Sequence, residues 1–157
     1  MRLEYFQLID RVIALNLAEK TIDTEAVVPT ESTMFEGHFP IYPLMPGALL
    51  IESMAQTSGW LVVALNRFER WPFLASLKEV NLRTFVNPGA RLSLSGRLLH
   101  DGSGFAVTES ECRSEGKIVC DATITFRLMP APSPEFLTGM RIAAKAIALP
   151  IDAAGDG

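Results

Sequence analysis

"GALLIESMAQTSGWLVVAL", Gly47 to Leu65, decides how the rest of the chain must fold. As a helix this stretch is apolar on nearly every face, so no one stripe can be turned to solvent and the helix has to be enclosed. Glu52, Ser53, Gln56 and Ser58 interrupt it. Polar groups at those positions would be expensive in lipid, so no integral membrane segment is expected and the helix belongs to a soluble core. Pro46 fits the first turn of a helix, where its missing N–H is not needed.

The flanks read as strands. Residues 7 to 16 and 20 to 28 are rich in β-branched side chains with partial alternation, which predicts a first hairpin, and Glu31 to Phe35 reads as a turn. Pro40, Pro43 and Pro46 forbid regular structure up to the helix. After it come 73 to 86, the turn "NPGA" at 87 to 90, the alternating run 91 to 100, "DGSG", then 105 to 114 and 117 to 128 joined by "EG". Two strands, one long helix and four strands joined by short turns make an α+β fold, an antiparallel sheet wrapped around one long central helix. Residues 1–129 form this domain. Residues 130–157 open as a Pro-rich linker, "PAPSP", and then carry Phe136, Met140, Ala143 and Ile147 near helical spacing. That segment is either an amphipathic helix docked on the body or on a partner, or a frayed appendage ending in "DAAGDG".

The totals narrow the function. At 157 residues and 48% hydrophobic, the chain is one domain with more apolar content than a solvated monomer needs, which points to an oligomer interface or an internal apolar tunnel. A net charge of -4 without a basic run argues against nucleic acid. Cys112 and Cys120 are too few for a disulfide framework, and the N-terminal run shows no small-residue cleavage site, so a cytoplasmic location is expected.

Three residues carry candidate chemistry. His38 sits on a proline-stiffened loop, and an imidazole with an ordinary pKa of about 6.5 is available to take a proton at neutral pH. Glu52 interrupts the greasy helix, so it must be neutralised by a raised pKa or hydrogen-bonded by a partner, either of which suits an acid. Gly47, at the helix N-terminus, can offer a free backbone N–H to a developing oxyanion, a donor typically worth about 3 kcal/mol of barrier. The bland readings are a structural histidine, a helix–sheet polar pair and a glycine that relieves crowding. Base, acid and oxyanion donor together permit removal of a proton alpha to a carbonyl with loss of a beta hydroxyl, although spacing alone does not make them converge.

The run "GHFP…P…MPG…ESMAQ", with Gly37, His38, Phe39, Pro40, Pro43, Met45, Pro46, Gly47, Glu52 and Gln56 in register, resembles the beta-hydroxyacyl-[acyl-carrier-protein] dehydratases of fatty acid synthesis. "LIDRVIAL" (8 to 15), "FVNPGARL" (85 to 92) and "GKIVCDATITF" (116 to 126) extend the resemblance, which stops before the tail. It implies a hotdog fold and a homodimer with sheets joined edge to edge, often as a trimer of dimers, in which His38 of one copy meets Glu52 of the other. By the same resemblance His38 removes the C2 proton of a (3R)-3-hydroxyacyl thioester, Glu52 protonates or orients the departing hydroxyl, and the Gly47 amide polarises the carbonyl. Phe39, Pro46 and Gln56 contact the substrate, an acyl carrier protein bearing a 3-hydroxyacyl phosphopantetheine thioester, and no cofactor or metal is involved. Glu52 and Ala55 stand where isomerase-competent relatives carry aspartate and a bulky residue, so dehydration without double-bond migration is expected. A cis His38–Phe39 bond is implied as well. "FLASLKEVNLRTF" and Ala90 depart from the family pattern near the tunnel and mouth, which leaves chain length, carrier and a specialised lipid pathway open. Lys78, Arg83 and Arg91 either meet an acidic carrier or are solvated surface. The rivals are a hotdog thioesterase, an enoyl-coenzyme A hydratase, or a non-catalytic hotdog subunit.

Overall fold

The computed structural model describes residues 1–150. The expected "DAAGDG" end falls in 151–157, outside the described residues. Strands β1 (Arg11–Asn16) and β2 (Thr21–Val27) form the first hairpin, followed by a single turn, α1 (Met34–Gly37), and the long helix α2 (Gly47–Leu65). Then come β3 (Arg70–Leu82), β4 (Arg91–Gly102), β5 (Phe105–Ser114), β6 (Lys117–Pro130) and α3 (Pro134–Ala146). One six-stranded sheet in the order β1-β2-β4-β5-β6-β3 holds all the strands, every neighbour pair antiparallel.

The bounds of α2 are those read from the chain, and Pro46 serves as its N-cap residue. Several boundaries differ, among them the end of the strand expected over 73 to 86, which stops at Leu82. The first strand begins only at Arg11, because Leu3–Tyr5 is a 3-10 turn closed by Phe6 in the left-handed region at φ 52°. β3 begins at Arg70 and includes Pro72, which pairs in register with Leu128; proline is tolerated there because β3 is the sheet's edge.

Alternation on β2, β4, β5 and β6 sends one face inward. Ile22, Leu92, Leu94, Ala106 and Ile124 meet Leu50, Met54 and Leu61 of α2, all of them essentially fully buried. Each such large side chain contributes roughly 1.5–3 kcal/mol. By length and composition α2 is able to span a membrane, but 67% of its apolar window is buried within the fold, so it acts as the core helix. The enclosure is nonetheless incomplete. Ile51, Glu52, Gln56 and Trp60 remain partly exposed, because a sheet reaches only part of a helix's circumference.

Hydroxyls seat α2 on the sheet. Thr57 Oγ1 donates to Ser53 O at 3.0 Å and accepts from Thr24 Oγ1 of β2 at 2.8 Å, both threonines being buried. A close approach of the two falls at Gly96 of β4, where a Cβ would stand 2.9 Å from Ser58 Oγ and 3.3 Å from the Ser58 Cα. Ser58 Oγ itself is buried with no hydrogen-bond partner among the described residues.

Helix α3 is docked on the body. Ser133 caps it by accepting from Phe136 N at 3.2 Å, with Pro134 in its first turn. Ala144 and the following Leu149 are buried in a second cluster with Val12, Leu61, Phe68 and Trp71, and Val12 N donates to Ile147 O at 2.7 Å. Gly96→Ala is expected to cost about 1–3 kcal/mol by overpacking, measured by urea denaturation. Ser58→Ala, which removes an unpaired buried hydroxyl, should leave stability unchanged or raised. A Gly96→Ala protein of full stability would contradict this packing.

Candidate active site

His38 follows α1, and the loop after it folds back on it. His38 N donates to Met34 O at 3.2 Å, Leu44 N donates to His38 O at 3.0 Å, and Nδ1 lies 3.1 Å from Leu44 O. A carbonyl only accepts, so Nδ1 carries the proton, and in the neutral ring Nε2 is left with its lone pair as a base. The Phe39 ring stacks on the imidazole at 4.5 Å, and the His38–Phe39 peptide bond is cis, as the resemblance implied.

The half-buried imidazole lines a cleft of about 530 Å³ together with Gly47, Leu82 and Phe85. Gly47 is the first residue of α2, and its N–H makes no hydrogen bond among the described residues. It therefore adds a free donor to the positive end of a 19-residue helix dipole. Glycine keeps the space over this N–H open: a Cβ would fall 2.6 Å from Leu82 Cδ1 and displace that side chain.

Glu52 lies elsewhere. It lines a second cleft of about 550 Å³ with Gln56, Trp60, Trp71 and Leu74, on the stripe of α2 that the sheet leaves uncovered. Full enclosure of this carboxylate was expected. It is half-buried instead, because its face of α2 borders an open cleft beside β3. Of the two ways to keep it there, the hydrogen-bonded one is present: Gln56 Nε2 donates to Glu52 Oε1 at 3.1 Å. Gln56 also donates to Phe6 O at 2.8 Å and accepts from Leu8 N at 3.2 Å, so its amide locks Glu52 to the N-terminal segment.

Within one chain, then, His38 and Gly47 share a cleft, Glu52 and Gln56 share another, and the two sets do not meet. Phe39 stands beside the first cleft, half exposed at 51%, and Pro46 leads into it as the N-cap of α2. Arg83, considered for a carrier, is held by Asp121, whose Oδ2 lies 2.6 Å from its Nε. Sequence reasoning missed the Leu44 carbonyl, which no side chain announces, and the aromatic group Trp60, Trp71 and Phe136. The Trp71 ring meets Trp60 and Phe136 edge-on at 6.5 and 5.0 Å.

The fold and the motif positions match known proteins. Residues 2–123 match the FabA-like domain family model. The chain is 36% identical to the 3-hydroxyacyl-[acyl-carrier-protein] dehydratase FabZ of Lactococcus lactis subsp. cremoris, an alignment covering 78% of this chain and 85% of that protein. It is 35% identical to the protein of the same name from Streptococcus pneumoniae, covering 77% and 86%. Among solved structures, a conserved protein of Pseudomonas aeruginosa superposes with a TM-score of 0.62 at 23% identity, covering 80% of this chain and 91% of that one. A Streptococcus pneumoniae protein titled a hypothetical thioesterase with coenzyme A superposes at 0.61 with 17% identity, covering 76% and 85%. These superpositions carry the hotdog architecture alone. The chain belongs to the FabA-like family of hotdog proteins.

The histidine loop is tethered from a distance. Glu4 Oε1 accepts from Ser32 Oγ (2.7 Å), Thr33 N (2.9 Å) and Thr33 Oγ1 (3.2 Å), and Ser32 Oγ in turn accepts from Met34 N at the start of α1. These bonds, the one from Ser32 foremost, hold the Glu4 carboxyl down at about 2. A carboxylate lowered in the folded state supports α1 above its ordinary range and loses that support as pH falls toward 2. An NMR titration should place the Glu4 midpoint near 2, and Ser32→Ala should move it upward. A midpoint in the ordinary carboxylate range would mean the tether is absent in solution.

Proposed function

We propose that this protein is a 3-hydroxyacyl-[acyl-carrier-protein] dehydratase, converting a (3R)-3-hydroxyacyl thioester into its trans-2-enoyl thioester and water in fatty acid synthesis. Family membership and the dehydratase relatives support the reaction. The observation that carries the residue roles is the His38 ring held through Nδ1 by a carbonyl, which leaves a base facing the same cleft as the first N–H of α2. Nε2 of His38 takes the C2 proton. Charge developing on the thioester oxygen is met by the Gly47 N–H and the helix dipole. The C3–O bond then breaks as Glu52 delivers a proton to the hydroxyl, which leaves as water. Exchange with solvent afterwards returns the imidazole and carboxyl to their starting states. Phe39 and Pro46 shape the entry for the pantetheine arm, and Gln56 orients Glu52.

The separation of the two clefts is resolved if two copies pair. β3 is an edge strand with unpaired backbone groups, and Phe73, Leu74, Leu82 and Phe85 beside or on it are 46 to 74% exposed. A long apolar edge of this kind is a template for another strand. The His38 cleft borders β3 at Leu82 and just beyond, whereas the Glu52 cleft borders it from Trp71 to Leu74. Leu82 and Leu74 lie equally far from Lys78 along the strand. An antiparallel two-fold pairing centred near Lys78 therefore sets the His38 cleft of one copy against the Glu52 cleft of the other. The site is then complete only in a homodimer, which further assembles as a trimer of dimers in this reading. The partner is a soluble acyl carrier protein in the cytoplasm. Glu52 and Ala55 give dehydration without double-bond migration.

His38→Ala and Glu52→Gln should each lower turnover by roughly 100- to 10,000-fold, followed by enoyl absorbance with the thioester intact. Thermal stability of Glu52→Gln should hold or rise, and its wild-type turnover would end the acid assignment. Release of free thiol instead would favour a thioesterase. Co-expressing the two inactive variants should restore activity that neither has alone, because each mixed dimer holds one intact site. No restoration would exclude a site shared between copies.

A further inference from the structure

The family-model match ends at residue 123, and the helix beyond it has no assigned purpose. Yet α3 forms a wall of the same cleft that Glu52 lines. Phe136, Met140, Ala143 and Ile147 line it together with Gly59 and Val63 of α2. From Glu52 to Val63 the stripe on α2 runs about 16 Å at helical rise, ending among Trp60, Trp71 and Phe136.

Gly59 lies midway along it. A glycine inside a helix costs about 1 kcal/mol relative to alanine, so its presence asks for a reason. Packing does not supply one: a Cβ there would touch only Pro72 Cγ, at an ordinary 3.6 Å. Nor does the backbone, since Gly59 is in the regular interior of α2 without positive φ. What a side chain at Gly59 would do is occupy the cleft. The same cleft is apolar along its length and polar near Glu52, with a volume of about 550 Å³, in the range that buries a ligand of a few tens of atoms.

We infer that the substrate's acyl tail lies along α2 from Glu52 past Gly59, roofed by α3, and that Gly59 and α3 together set the longest acyl chain the enzyme accepts. The inference rests on the dehydratase reading. The absent side chain at Gly59 keeps the passage open, and α3 supplies a wall from outside the residues that the family model matches. The occupant is a long unbranched acyl chain attached to the carrier, because the apolar surface begins at the carboxylate that reacts with its C3 hydroxyl.

Two measurements on the full chain test this. The first compares kcat/KM for 3-hydroxyacyl carriers from hydroxybutyryl to hydroxystearoyl in wild type, Gly59→Ala and Ala143→Phe. Both variants should lower the ratio of long-chain to short-chain kcat/KM by roughly tenfold or more, the discrimination a pocket achieves per blocked methylene. Gly59→Ala should do so while its melting temperature stays level or rises, which a merely structural role for Gly59 would not produce. A folded variant pair with the wild-type chain-length profile, or with an equal loss at every length, overturns the inference. The second uses the chain's two tryptophans, Trp60 and Trp71, both of which line the cleft. A palmitoyl carrier brominated near its tail end should quench their emission in wild type and less so in Ala143→Phe. Absent quenching in wild type overturns the placement of the tail even if dehydration proceeds, whereas a wild type inert toward every hydroxyacyl carrier would remove the dehydratase reading itself.

Discussion

A sheet can cover only part of a helix that is apolar nearly all round, and the architecture of this protein follows from that shortfall. Strands β2, β4, β5 and β6 seal the faces of α2 that carry Leu50, Met54 and Leu61. The remaining stripe, from Glu52 through Gln56 and Gly59 to Val63, borders a cleft instead. At roughly 25 cal/mol per Å² of apolar surface, leaving it to water is costly. Helix α3 covers the far end by packing Phe136 on Trp71 and burying Ala144. The near end stays open, with a carboxylate at its mouth. Incomplete coverage of the core helix is thus also what makes the cleft that Glu52 lines.

The histidine loop answers a different physical demand. The base role proposed for His38 needs a ring held before the substrate arrives, and ordering a side chain costs conformational entropy. Here the chain pays that cost on folding. Pro40, Pro43 and Pro46 narrow the backbone's choices, and Leu44 binds His38 twice, through its N–H and through its carbonyl. Because the carbonyl selects the Nδ1–H tautomer, one hydrogen bond orients the ring and determines which nitrogen is free. Glu4 supports the arrangement from the far side by engaging Ser32 and Thr33 ahead of α1. Its counterpart for the carboxylate is Gln56, which joins Glu52 to the backbone at Phe6 and Leu8.

Much of this was legible in the chain. The limits of α2 follow from Pro46 and from the run of apolar residues, and the turns at Asn87–Ala90, Asp101–Gly104 and Glu115–Gly116 announce the strands they connect, although only the last two close hairpins. Those signals act over a few residues, through sterics and backbone hydrogen bonding, so they survive without tertiary context. Where an edge or a neighbour decides, the chain was less informative. The run that reads as a strand starts at 73, yet β3 begins earlier and passes through Pro72, since an edge strand has no partner on one side to demand an N–H. The helical spacing of Phe136, Met140, Ala143 and Ile147 left a docked helix and a loose appendage both open, and contact with Trp71 selected the docked one.

The sequence by itself determined the identity of the chemical groups, their local supports and the elements that bear them: an imidazole on a stiff loop, a free N–H at a helix start, a carboxylate in an apolar helix. Only the tertiary structure decided which of these share a cleft. It puts His38 with Gly47 and leaves Glu52 with Gln56 and α3, at opposite ends of β3. The reason is that distance between residues far apart in the chain is set by strand order and helix coverage, which depend on the summed packing of the whole molecule and leave no mark on any short stretch of it.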